Sequence, residues 1–211
     1  MNDIAAPREG ASADEFWLTA RLTAGFLLDM IAIARCADGD PLDTLLLGAI
    51  IQANVAELIH DADLRVDFAR SDEVPSDAMR RPVSMSAIAA SLNLPPETVR
   101  RRIVAMSRDG WCRFVEGGVI VPTEVLSRPE YYVAAFKSYE RQRAFYYELR
   151  AGGLLPDLPP AAADLSAGVF PVRTVARLTG AYMLRLAETL GLVGHMVDGL
   201  LLVEIFRSNL D

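Results

Sequence analysis

Cysteine, histidine and lysine are scarce in this sequence: 211 residues contain two cysteines, Cys36 and Cys112, two histidines, His60 and His195, and one lysine, Lys137. The cysteines stand far apart and neither belongs to a Cys-x-x-Cys pair, which excludes a disulfide framework and a zinc-ligand cluster. Both read as small buried hydrophobes, with a redox-sensing thiol as the alternative. Each histidine sits alone in an apolar helical pattern without carboxylates at ligand spacing, so neither metal binding nor general-base work is expected of it. A Gly-rich phosphate loop, a Gly-x-Ser-x-Gly elbow and a nucleophile with a nearby base are also missing; no catalytic residue, cofactor or metal is expected, and the chain does not read as an enzyme. Nor is there a long apolar run free of charge, since Arg21 and Asp29 interrupt the 16–34 stretch, so no membrane span is expected. The first fifteen residues carry Asp3, Arg8, Glu9, Asp14 and Glu15 and lack an apolar export segment, which makes the cytoplasm the expected compartment.

What is present is apolar substance. Hydrophobic residues make up 52% of the chain, more than disordered chains carry, so a substantial core is expected. The net charge of −7 is unevenly distributed. Residues 80–113 hold Arg80, Arg81, Arg100, Arg101, Arg102, Arg108 and Arg113 against Glu97 and Asp109, a net +5 that leaves −12 for the remainder. A basic island on an acidic body is what a nucleic-acid-reading module on a non-binding scaffold would present.

The fold class expected is mainly α, with one small β-hairpin and long helices at both ends. Residues 1–13 read as a disordered tail. Apolar spacing predicts a helix over 14–37 and, after Gly39-Asp40-Pro41, another over 41–60, and the two together form an N-terminal scaffold spanning 14–60. Residues 61–81, with six acidic residues and Pro75, read as an acidic linker. Past the basic island, Ser127 and Pro129 start a helix that runs to about Arg150 and ends at Gly152-Gly153. Residues 171–190 and 193–208 give two more helices, so 127–211 reads as a C-terminal helical region for dimerisation or effector binding. Five of the six tyrosines fall in the helix after Ser127, where Tyr131, Tyr132, Phe136, Tyr139 and Tyr146 are expected to share a face. They are the candidate lining of a pocket for a small apolar or aromatic effector, with ordinary packing as the alternative.

The stretch Pro82–Pro122 has the most definite local order. Ser84 can cap a short helix whose inward residues are Ala87, Ile88 and Leu92. Asn93-Leu94-Pro95 then makes a tight turn. Pro96 and Glu97 suit the first turn of a second helix over 96–109, in which Val99, Ile103 and Met106 form the inward seam and Glu97, Arg101, Val104 and Arg108 point away from it. Arg102 falls nearer the core boundary, its stem buried and its head directed outward. Gly110 ends this helix, and residues 111–115 and 119–122 alternate as two strands around Glu116-Gly117-Gly118.

Short helix, tight turn, basic helix and hairpin follow one another as in a winged helix-turn-helix. The run IAASLNLPPETVRRRIVAMSRDGWC, Ile88–Cys112, resembles without a gap the core of bacterial regulators of the MarR, GntR and AsnC types, and the flanking helices look most like the MarR arrangement. The resemblance implies a module over 82–122 that binds double-stranded DNA, with the helix 96–109 in the major groove and a homodimer reading two half-sites. It makes Arg100 and Arg101 candidates for bonding guanine and Glu97 for accepting from cytosine. Ser84, Ser86, Thr98, Arg102 and Arg113 are then candidates for phosphate contacts, which position without reading, and Pro96 is counted among the DNA-binding residues. A winged-helix protein-binding adaptor without sequence-specific DNA binding is the alternative.

Overall fold

The structure is a computed structural model, and it describes residues 12–33, 40–60, 68, 74–156, 172–191 and 196–209. Among the described residues the polypeptide is mainly helical with one two-stranded antiparallel sheet. Helix α1, Ala13–Ile33, starts with a reciprocal cap that satisfies two first-turn amides at once: the Ser12 amide donates to Glu15 Oε2 at 2.8 Å and the Glu15 amide to Ser12 Oγ at 3.1 Å. Helix α2, Pro41–Asn54, has Asp40 at its cap, accepting from the Leu42 amide at 2.8 Å, and Pro41 in the first turn. The continuous helix expected over 41–60 is broken at Val55 (φ −109°, ψ 6°), after which a short α3 covers Ala56–His60. Cys36, His195 and residues 1–11 lie outside the described residues.

Two apolar assemblies follow. In the first, Leu46 and Ile50 of α2 pack with Ile88 of α4 (Met85–Ser91) and Leu92 just after it, Val99, Ile103 and Met106 of α5 (Pro96–Arg108), and Val119, Val121 and Val125 around the hairpin, all nearly or fully buried. Burial of a side chain of this size contributes about 1.5–3 kcal/mol each. The turn between α4 and α5 passes through Asn93, whose positive φ of 50° a short polar residue tolerates. The α5 helix closes at Gly110 (φ 74°), where the Trp111 amide reaches back to the Met106 carbonyl at 2.9 Å. Strands β1 (Arg113–Val115) and β2 (Gly118–Ile120) pair in the register Arg113↔Ile120, Phe114↔Val119, Val115↔Gly118. An isolated bridge from Val83 to Val119 adds a third extended segment beside them.

The second assembly is a bundle of α1, α7 (Pro129–Ala151), α8 (Val172–Gly191) and α9 (Met196–Ser208), reached through the short α6, Thr123–Leu126. Its contacts include Phe26 stacked on Phe145 with centroids 4.3 Å apart, and Arg141 held by Asp29 at 2.7 Å and Glu148 at 3.3 Å. Trp17 stacks on Phe206 at 5.9 Å. Helix α8 also lies against α2 and thereby couples bundle to core.

This packing redraws the expected grouping. The helices within 14–60 do not form one scaffold: α1 belongs to the bundle, whereas α2 supplies the central helix of the core that contains α4, α5 and the hairpin. The core within residues 82–122 is completed by α2, whose Leu46, Leu47, Ala49 and Ile50 join the inward faces of α4 and α5. The end of the acidic segment is structured as well, with a 3-10 turn at Asp77–Met79 and Arg80 buried behind it.

Candidate nucleic-acid interface

Helices α4 and α5 set the geometry of this surface. Ser84, in extended conformation (φ −73°, ψ 146°), caps α4 by accepting from the Ala87 amide at 3.1 Å, and its hydroxyl lies 3.0 Å from that of Ser86. Pro96 opens α5 as expected. Val99, Ile103 and Met106 are buried on one side, while Glu97, Arg100, Arg101 and Arg108 are exposed on the other and Thr98 is half-buried at the edge.

Ion pairing within the chain alters the chemistry of most of the arginines. Arg100 grips Glu97 one turn earlier in α5 with a two-pronged contact, Nε to Oε2 at 2.8 Å and Nη2 to Oε1 at 2.6 Å. That hydrogen bonding holds the Glu97 carboxyl below its ordinary range and raises the Arg100 guanidinium. The two residues expected to read bases separately thus engage each other in the free protein.

Arg102 departs furthest from expectation. Its Nη1 donates to Asp40 Oδ2 at 2.6 Å and Asp43 Oδ1 at 2.9 Å, and its Nε is enclosed without an acceptor. Burial acts to raise the Asp40 carboxyl, but Arg102 and the Leu42 amide outweigh it and the net direction is down. The Arg102 head is a fastener between α5 and the start of α2, not a phosphate contact. The periodicity of α5 correctly put its stem at the core boundary, but only the fold brings two aspartates from sixty residues upstream to meet it.

Arg113 is half-exposed and pairs with Asp77, whose other carboxylate oxygen receives the Thr123 amide and hydroxyl, each at 2.8 Å. Arg81 pairs with Glu57 at 2.8 Å. Arg80 is buried, with its Nε 3.4 Å from Asp77. Of the seven arginines counted in 80–113, Arg101 and Arg108 are the two with no hydrogen bond or ion pair among the described residues. The sequence count of charge is therefore largely offset by Asp40, Asp43, Glu57 and Asp77, which lie outside the counted window.

Two further features went unread in the sequence. Phe114 on β1 is exposed, although its place in an alternating strand gave a signal. Arg128 crosses the end of α5, donating to the Gly110 carbonyl at 2.8 Å and lying 4.9 Å from the Trp111 ring centre. Cys112 is buried with its thiol directed at the Ile103 carbonyl 3.6 Å away, and burial pushes its pKa up to about 11.

The aromatic residues of α7 do not share one face. Tyr139 is buried, Tyr132 and Tyr147 are exposed, and Phe136 lies against Tyr139 at 6.4 Å. Tyr131 lines a cavity between bundle and core, and both Tyr131 and Tyr132 line a smaller neighbour. Phe136, Tyr139 and Tyr146 line neither. A 23-residue helix places residues eight and fifteen positions apart on faces set by its contacts with α1 and α8, and those contacts are tertiary.

Comparison with protein-family models, curated proteins and solved structures finds no match.

Proposed function

We propose that this chain is a winged helix-turn-helix transcriptional regulator that binds double-stranded DNA with α5 in the major groove. The observation that carries the reading is the outward side of α5: Arg101 and Arg108 stand exposed and unpaired among the described residues, on a helix joined to α4 by a tight turn and followed by a hairpin. Arg101 is the foremost base-reading residue. Arg100 joins it by exchanging Glu97 for a guanine edge, and Glu97 is then left to accept from cytosine. Ser84, Ser86, Thr98 and Arg113 contact phosphates.

The protein acts as a cytoplasmic homodimer. Phe16, Trp17, Leu178, Leu201, Leu202 and Ile205 are large apolar side chains more than half exposed on the bundle helices, and pairing of two bundles would remove them from water. Helix α1 is long and apolar enough by length and composition to cross a membrane, with 22% of that stretch buried; Phe26, Leu27, Met30 and Ile31 make up its buried side within the bundle, and pairing of two bundles would cover the rest. Sedimentation at micromolar concentration is expected to give a dimer, and a monomer at every concentration would refute self-association.

The test of DNA binding is fluorescence anisotropy with genomic fragments, including the region upstream of the gene, at about 50 and 200 mM salt. Arg101→Ala is expected to lower affinity about tenfold or more and relax sequence preference. Arg102→Gln, which removes an internal fastener, is expected to leave the salt slope unchanged. Absence of preference for any fragment over random DNA would overturn the reading. A second reading, a protein-binding adaptor, is favoured by one observation: five of the seven arginines are already ion-paired within the chain. Salt-insensitive association with a protein partner would select it.

A further inference from the structure

Between the bundle and the core lies a partly open cavity of about 180 Å3, walled by apolar side chains that include Met30, Leu45, Ile51, Trp111 and Leu184. A second cavity of about 70 Å3 adjoins it, with Ile51, Gln52, Tyr131, Ala135 and Ala176 common to both. The two differ in chemistry. The larger has the size of engineered cavities of about 150 Å3 that admit benzene, whereas Arg173 and Arg177 line the smaller.

Cationic groups gather at this smaller end. Arg177 donates from Nε to the Arg173 carbonyl at 3.2 Å and from Nη2 to the Phe68 carbonyl, and it has no carboxylate partner among the described residues. Arg80 has a fully buried side chain whose Nη2 donates to the carbonyl of Pro75, a wall residue of the same cavity, at 3.0 Å. Its Nε and Nη1 are enclosed without a hydrogen-bond acceptor, and the Asp77 carboxylate nearby is shared with Arg113 and Thr123. Tyr131 lines both cavities and shares the smaller one with Arg173 and Arg177, and its hydroxyl makes no hydrogen bond to a described residue. Buried guanidinium groups without full partnering are costly. An anion here would accept from the phenol and from Arg177 in surroundings of low polarity, where such bonds are strong.

We propose that the paired cavities bind a small amphipathic monocarboxylate, its ring-sized or short-chain apolar body in the larger cavity and its carboxylate at the end lined by Tyr131 and Arg177, with Arg80 buried behind the Pro75 wall. The apolar walls demand an apolar body, and the small volume at the arginine end admits a head the size of a carboxylate. The cavity wall includes Thr44, Leu45, Leu47 and Gly48 of α2, the helix whose start fastens Arg102 of α5. Occupancy therefore bears on the placement of α5. That regulatory consequence rests on the DNA-binding reading; the binding site does not.

The test is isothermal titration and thermal shift on the full chain without DNA, using benzoate, phenylacetate and hexanoate against their neutral amides, with inorganic phosphate as a separate probe. At least one acid is expected to bind and stabilise while its amide binds about tenfold or more weakly. Arg177→Gln is expected to erase the difference between acid and amide. Gly48→Leu probes the apolar end independently: Gly48 lines the larger cavity and an added Cβ meets no atom within 4 Å. This substitution also removes a helix-interior glycine, so it is expected to abolish acid binding without loss of melting temperature. Amides binding as well as acids, Arg177→Gln leaving acid affinity unchanged, phosphate alone reproducing the effect, or no acid binding at all would each overturn the proposal. These results are independent of whether DNA binding is found.

Discussion

Replacing Asn54 by leucine tests how the core and the hairpin are joined. Asn54 is the last residue of α2 and only 1% exposed. Its Nδ2 donates to the Arg81 carbonyl at 2.8 Å and the Val119 carbonyl at 3.1 Å, and its Oδ1 accepts from the Val121 amide at 2.9 Å. One side chain thus ties the segment before α4 to β2 and to the strand's continuation. Leucine fills a similar volume but leaves the Val121 amide and the Arg81 carbonyl without this partner; the Val119 carbonyl keeps the Val83 amide at 3.1 Å. Two orphaned buried groups cost about 1–3 kcal/mol each, and the added apolar burial returns about 1–2 kcal/mol. At mid-range values the net expected loss is about 2–3 kcal/mol, or about 4–12 °C in Tm for a chain of this length. Urea unfolding followed by circular dichroism gives the total, and hydrogen exchange at the Val121 amide relative to amides within α7 locates it. Asn54→Asp is expected to be worse near neutral pH, because it removes both donors and buries a charge. A leucine variant within about 0.5 kcal/mol of wild type, with Val121 protection unchanged, would refute the account.

Two other perturbations follow from the same region. At Gly118, φ is 148° and an added Cβ would sit 2.3 Å from the Val83 carbonyl oxygen, so Gly118→Ala is expected to cost about 3 kcal/mol or more and to deprotect the Val119 amide; a neutral effect in urea titration would contradict that geometry. Burial acts to raise the Asp77 carboxyl, but the Thr123 hydroxyl and amide, Arg113 and Arg80 outweigh it and hold it below the ordinary aspartate value. A depressed carboxylate contributes stability that is present above its unfolded pKa and lost as pH falls through its folded one, so acid unfolding should begin to draw on Asp77 below about pH 5. Asp77→Asn is expected to lower stability at neutral pH and to flatten the stability–pH curve between about pH 5 and 3. An unchanged curve would show that Asp77 does not contribute.

Local signals in the sequence determined much of the secondary structure: Pro41 and Pro96 in first turns, Ser84 at a cap, the 99/103/106 seam of α5, Gly110 at its end and the hairpin around Glu116-Gly117. These features depend on neighbours a few residues away, and backbone stereochemistry or one hydrogen bond fixes each of them. What only the tertiary structure decided involves partners far apart in the chain. Helix α2 looks as apolar as α1, and its composition could not say that it would cover α4 and α5 while α1 joined the bundle. The tyrosines of α7 obey helical spacing, yet which of them reach a cavity depends on where α1 and α8 cross it. Arg102 and Arg101 are adjacent in a run of three identical residues. The 100° step between them turns one toward Asp40 and Asp43 and leaves the other in solvent, and the positions of those two aspartates were set by the fold.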